Sequence, residues 1–390
     1  MCEKYKKVFI FGAAGRVGLG LVAALLNRNI DIVAVDFIDS ERLTKIISRI
    51  IVDKRLSDGD TTGSIKIYGN IDVLDKNRVV ELLAEEKPNI VINYAIPFTW
   101  DAAKQLPNYE KISRAGLGSF APVQVLAPKI IAQALATSAV NAKLIVGNLP
   151  DITIPIIYGL QKHYDLTLPI AGAGNVGLIE AAIKHQVSID REISIDELSI
   201  YLVAHHIHWV APREPGYQND APFLLKVIHK DSDITQELGD PRKLMNKAIV
   251  NCYEPRAGFS STTALLAAKL VLMLFNEEDL EQSLHVPAPN GLAGGYPVIV
   301  KAGEIKLNLP SEWQQSEAED LMKQAHRRDG IDKITDDGSI HFNAESIDIL
   351  KREVGINLPE IVRPDELESV AKEQIRVAQN AINKILRNQV

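Results

Sequence analysis

Gly12-Ala13-Ala14-Gly15-Arg16-Val17-Gly18 is the stretch whose reading decides the fold. It follows the β-branched and aromatic run Val8-Phe9-Ile10-Phe11 and precedes an alanine- and leucine-rich segment over 17–26. That order predicts a strand, a tight turn and a helix. Glycines let the chain turn sharply and bring a diphosphate against the free N–H groups of a helix N-terminus. Asp36 closes the next apolar run, 30–35, about twenty residues on, where a carboxylate accepts both hydroxyls of a ribose. It would repel a 2′-phosphate, and Phe37 supplies no cation instead, so NAD is expected over NADP. Gly12, Ala14, Gly15, Arg16, Val17, Gly18, Asp36 and Phe37 form the expected cofactor cradle.

Outward from that turn the alternation continues, with strands expected over 64–68, 90–93, 143–146 and 168–171 and helices over 76–86 and 123–135. Alternating strands and helices imply a parallel sheet covered on both faces. The fold class is α/β, a doubly wound parallel Rossmann sheet filling residues 1–174. The texture then changes to a helix over 176–184, an alternating strand over 198–210, strands over 223–229 and 297–301, and helices over 260–275 and 311–327. This predicts an α+β substrate domain, 175–330. Residues 331–390 form a C-terminal extension, with a hairpin turning at Asp336-Asp337-Gly338 and helices over 344–354 and 364–386. It could cover a cleft or make a subunit contact.

Composition narrows the partners. With 46% hydrophobic and 24% charged residues the chain is globular, not disordered. A net charge of -7 gives no general attraction to nucleic acid or an anionic membrane, so neither is expected as a partner. Cys2 and Cys252 are too few for a disulfide framework, which points to a reducing, cytoplasmic setting. Lys4, Lys6 and Lys7 before an apolar stretch imitate a signal peptide, but Arg16 and interspersed glycines interrupt it. No run reaches about 18 uninterrupted apolar residues.

The glycine loop, together with Asn148-Leu149-Pro150-Asp151 and the stretches 172–177, 204–212, 258–264 and 286–303 in that order, resembles the lactate and malate dehydrogenases over residues 7–330. The resemblance implies an NAD-dependent dehydrogenase or reductase of a hydroxy/keto small molecule, forming a homodimer or homotetramer. His206 stands six residues before Pro212, as that family's acid/base histidine does, and an imidazole exchanges protons near neutrality. Asn148 matches the asparagine that touches substrate and cofactor, and Ala95, at the start of the active-site loop, joins the cofactor set. Ser261 falls where the family places a small hydroxyl residue near the substrate. His205, His206 and His208 also invite a metal, but alternation on a strand splits them between two faces and no third ligand is evident, so none is expected.

The pattern breaks in places. The aspartate that orients the family's histidine aligns with Asn175, which carries no charge to support an imidazolium. The arginine that forks onto the substrate carboxylate aligns with Leu178, and the loop 95–106 contains no arginine. Lactate or malate in the usual pose is therefore not expected; Arg114, Arg213 and Arg256 are the candidates for supplying charge differently. An alternative is an extended short-chain dehydrogenase or epimerase using Tyr158 and Lys162, four residues apart. A further alternative, motivated by Asn175 and Leu178, is a non-catalytic NAD-binding regulator.

Overall fold

The computed structural model describes residues 6–59, 63–252, 260–275 and 282–388. The first half runs β1 (Lys7–Phe11), α1 (Arg16–Leu25), β2 (Asp31–Val35), α2 (Ser40–Asp58), β3 (Ile65–Tyr68), α3 (Lys76–Glu86) and β4 (Ile90–Asn93). Two short helices, α4 (Trp100–Ala103) and α5 (Tyr109–Ser113), lead through a 3-10 turn at Leu117–Phe120 into α6 (Ala121–Ser138), β5 (Lys143–Val146), α7 (Pro150–Leu160) and β6 (Pro169–Gly172). The six strands make one sheet in the order β3-β2-β1-β4-β5-β6, every pair parallel. This is the expected doubly wound α/β sheet.

Side-chain alternation explains why the sheet is covered twice. Val8, Ile10, Ile32, Ala34, Ile90 and Ile92 face one apolar cluster, while Phe9, Phe11, Val33, Val35 and Val91 face another, since successive residues of a strand point to opposite faces. α2 and α7 were not expected. α2 buries only Leu43 and Ile47 along 19 residues, a stripe too narrow to announce a helix, but Asp39 caps it by accepting the Arg42 N–H. α7 holds Pro150 and Pro155; the first lies in the opening turn, where a missing N–H costs nothing.

The middle of the chain contains α8 (Val176–Arg191), β7 (Leu198–Val203), α9 (His206–Val210), β8 (Leu224–His229), β9 (Ser232–Asp233) and α10 (Pro241–Cys252). α11 (Ser260–Phe275), β10 (Gln282–Pro287), β11 (Gly295–Lys301), β12 (Glu304–Leu307) and α12 (Gln315–Arg328) follow. The strand expected over 198–210 is corrected here. It stops at Val203, Ala204 keeps a single bridge to Gly295, and the chain turns into α9 with His205 as its N-cap.

The tail forms β13 (Ile331–Ile334), β14 (Ile340–Phe342), α13 (Ala344–Val354), β15 (Ile361–Val362) and α14 (Leu367–Asn388). The expected hairpin turns where Asp337 Oδ1 accepts the Ser339 N–H at 3.0 Å. Ile331, Ile340, Phe342, Ile349, Leu350 and Leu367 share one apolar cluster with α3 and α6, so the extension is built into the core of the first domain. The stretch Leu117–Ser138 is long and apolar enough to cross a membrane, yet 72% of its apolar window is buried inside the protein. We propose the division 1–174, 175–330 and 331–390 as three segments that share their cores.

Candidate functional site

The glycine loop has the geometry its composition demands. Gly12 adopts φ +79, and a Cβ there would lie 2.6 Å from the Ala95 nitrogen. A Cβ on Gly18 would meet the Gly12 carbonyl oxygen at 2.2 Å, so glycine is what lets α1 approach the turn. Gly15, exposed, is the N-cap of α1, and no side chain caps that end. Asp36, 6% exposed, accepts the Ala14 N–H on Oδ2 at 2.8 Å and the Ile38 N–H on Oδ1 at 3.3 Å. Val17 is half-buried beside this turn, and Phe37 stands out into solvent at 77% exposure. Arg16 is held by Asp101 of α4 through contacts of 3.0 and 2.8 Å, which ties the loop 95–106 to the glycine turn.

At the carboxyl ends of β4 and β5 an amide network replaces isolated contacts. Asn148 donates to the Ala95 carbonyl at 2.9 Å and accepts from Asn93 Nδ2 at 3.1 Å. Asn93, fully buried, also accepts the Ala95 N–H at 3.1 Å. Sequence reading missed Asn93; a polar residue ending an otherwise apolar strand was the available signal.

His206 lies at the first turn of α9, 1% exposed, and the expected pairing with Asn175 is not what surrounds it. Its Nδ1 sits 3.2 Å from Asp151 Oδ2, and the same oxygen accepts the His206 backbone N–H at 2.6 Å. Its Nε2 faces Asp329 Oδ2 at 3.0 Å, an ion-pair contact without hydrogen-bond alignment. Burial alone would lower the imidazole's pKa; Asp329 and Asp151 outweigh it and raise the pKa to about 10. The carboxylate beside His206 Nδ1 is therefore Asp151, at the start of α7. Asn175, with φ +41, merely begins α8. Asp151 stood in the sequence next to Asn148 but only folding showed which histidine it serves.

His205 and His208 are also buried, so the expectation of two faces on a strand is corrected: α9 takes His208 inward, where its Nδ1 accepts the His205 N–H and its Nε2 donates to the Ala221 carbonyl, at 3.0 Å each. Burial pulls His208 down to about 4 and His205 well below its ordinary value. Donor atoms of Asp151, His205 and His206 lie within 4.8 Å of one another, close enough to surround a cation. His205 Nδ1 accepts the Ile207 N–H at 3.4 Å, which leaves its ring proton on Nε2, and both His206 nitrogens face carboxylates.

The remaining candidates scatter. Leu178 is buried in the core of the middle segment, so no cation stands there. Arg114 is exposed at the end of α5. Arg213 turns back on α9, its Nε donating to the Trp209 carbonyl at 2.6 Å and its guanidinium 4.2 Å above the Trp209 ring. Ser261 lies on α11 with its side chain outside the described residues, as is the whole of Arg256. Tyr158 donates to the Pro169 carbonyl at 3.1 Å and burial pushes its phenol upward, away from use as a base, while Lys162 faces Asp336 at 3.8 Å. The two do not form the pair that the epimerase alternative needs.

Residues 8–114 match the NAD dependent epimerase/dehydratase family, a match that ends before Tyr158. No curated protein matches the chain by sequence. Solved structures do. A lactate dehydrogenase from a Medee basin deep-sea metagenome library superposes with a TM-score of 0.56 at 15% identity, over 83% of this chain and 96% of that one. The malate dehydrogenase of Cryptosporidium parvum gives 0.54 at 13% identity, over 83% and 96%. The lactate dehydrogenase of Eimeria maxima, solved with NADH and oxamate, gives 0.51 at 16% identity, over 83% and 91%. At such identities the likeness is one of architecture: the chain has the fold of the lactate and malate dehydrogenases, with a sixty-residue tail packed into its first domain.

Proposed function

We propose that the chain is an NAD(H)-dependent oxidoreductase acting on a hydroxy/keto small molecule other than lactate or malate in their usual pose. The observation that carries this is the glycine turn braced by Asp36, opening at the same sheet end as the Asn93–Asn148 network. The turn fits a dinucleotide: Gly12, Ala14, Gly15, Val17 and Gly18 leave the backbone bare for the diphosphate, Asp36 suits the ribose, and Arg16, Phe37, Ala95 and Asn148 border the groove. Bound nicotinamide would supply the hydride acceptor or donor. His206 handles the proton at Nε2, and Asp151 fixes its ring and supports the imidazolium. With its pKa raised to about 10 by Asp329 and Asp151, His206 is protonated at neutral pH, the form that donates a proton to a keto oxygen. Leu178 and an arginine-free loop exclude the usual carboxylate fork.

A second reading, an NAD-binding regulator without turnover, is favoured by one fact: His206 is 1% exposed, with Asp329 on its outer nitrogen. NADH titration followed by fluorescence, then nicotinamide absorbance across a panel of keto compounds, separates the two. The oxidoreductase reading expects turnover that His206→Gln abolishes while NADH binding survives and Tyr158→Phe changes neither. Turnover lost in Tyr158→Phe and kept in His206→Gln would install the epimerase reading, and tight NADH binding with no turnover across the panel would install the regulator. We further propose a homodimer or homotetramer in the cytoplasm, in keeping with a free, exposed Cys252.

A further inference from the structure

The lactate and malate dehydrogenase pattern places an arginine where this chain buries Leu178, so a substrate carboxylate needs another seat. One exists beside His206, and a carboxylate already fills it. The Leu117 N–H donates to Asp329 Oδ1 at 2.9 Å and the Gly118 N–H to Asp329 Oδ2 at 2.8 Å. Two adjacent N–H groups thus meet the two oxygens of one carboxylate, in the 3-10 turn Leu117–Phe120 that leads directly into α6 and so lies at its positive end. Glycine shapes the seat: a Cβ on Gly118 would lie 2.9 Å from Asp329 Oδ2, and one on Gly116 would lie 2.3 Å from the Asp329 backbone.

The third wall is His206 Nε2, buried and aimed at Asp329 Oδ2 from 3.0 Å, yet without a hydrogen bond among the described residues. The occupant satisfies the two amides but meets the imidazole only as an ion pair, without hydrogen-bond alignment. Asp329 reaches the seat from the C-cap of α12, one residue before Gly330, which turns at φ +93 into β13. It arrives from a joint between elements.

We propose that Leu117 N–H, Gly118 N–H and His206 Nε2 form the carboxylate-binding site for the hydroxy or oxo acid substrate, and that Asp329 is a built-in competitor which a substrate carboxylate displaces. The proposal rests on the oxidoreductase reading and deepens it: the substrate is an acid recognised by backbone amides and an imidazolium instead of an arginine fork. A tethered competitor acts at a high effective concentration, so removing its carboxylate exposes the intrinsic affinity of the seat.

Acetate and oxamate are the probes, titrated without cofactor into the full chain and followed by isothermal titration calorimetry. Asp329→Ala is expected to bind either anion at least about tenfold more tightly than wild type. The gain should vanish in the Asp329→Ala, His206→Gln double variant. Asp329→Asn keeps the shape of the joint and is expected to show the same direction of change; it decides the matter where the alanine variant does not fold. No gain in affinity over wild type, or an equal gain without His206, overturns the proposal. NADH titration of the same samples is independent of this readout, so a failure of cofactor binding indicts the oxidoreductase reading alone.

Discussion

The glycine turn and the His206 cluster sit in one molecule but are built by opposite rules. The turn is local: Gly12, Gly15 and Gly18 are neighbours in sequence, and the one distant partner, Asp36, arrives at the end of the next strand. The cluster draws Asp151 from α7, His206 from α9 and Asp329 from the end of α12, all at 1% exposure or less. In the first, backbone conformation does the work and charge is incidental. In the second, charge is everything, because an imidazolium and two carboxylates share a space closed to water. Local sites announce themselves in sequence; sites assembled by packing do not.

The comparison breaks first at His206. Removing one partner of a buried ionic group strands the others, so His206→Gln should destabilise the protein by about 3–5 kcal/mol in chemical denaturation. A loss below about 1 kcal/mol would mean the carboxylates are not held by it. The pH dependence has a definite sign. The pKa of His206 in the fold, about 10, lies above the ordinary value near 6.5, so its stabilisation is complete below pH ~6.5 and is lost as pH rises toward ~10. Wild-type stability should therefore decline across that window more steeply than that of His206→Gln; parallel curves would contradict the assignment.

Gly12 tests the other pole. Gly12→Ala must place a side chain at φ +79 and against the Ala95 nitrogen, whereas Gly59→Ala meets φ +83 with nothing within 4 Å. The positive-φ backbone at Gly59, with ψ -157, by itself costs a side chain about 1–3 kcal/mol, which Gly59→Ala should show. Gly12→Ala should exceed it and also weaken NADH binding. Equal losses in thermal melts would remove the close approach from the explanation.

Smaller effects sharpen the contrast. Asp36→Asn should cut the preference for NAD over NADP by about tenfold in competitive titration, since the amide no longer repels a 2′-phosphate; an unchanged ratio would point to another discriminator. Asp101→Asn should change stability by no more than about 0.2–1 kcal/mol, and less in high salt, because both members of the Arg16–Asp101 pair are more than half exposed. A larger change would make that pair a true latch.

Five of the six sheet strands needed only alternation and β-branched runs to be placed, and the glycine turn fixed the sixth's connection. α2 escaped because two buried side chains in 19 residues make too faint a stripe. The strand expected through Val210 failed for a different reason. His206 and His208 alternate as a strand would, but three buried imidazoles need partners that a half-solvated strand cannot offer; a turn into α9 supplies backbone partners to His205 and His208 and brings His206 against Asp151 and Asp329.

Local sequence thus settled the Rossmann half, because short apolar runs and a few glycines act through neighbours. The family resemblance singled out His206 by its place before Pro212, and showed Leu178 where the family has an arginine. The identity of the histidine's partners lay beyond both. Asp151 is 55 residues from His206, Asp329 is farther still, and the segment after Asp329 looked like an appendage until its apolar face closed on α3 and α6. A buried charge selects its counter-charges by distance in space, and distance in space is set only when the whole chain has packed.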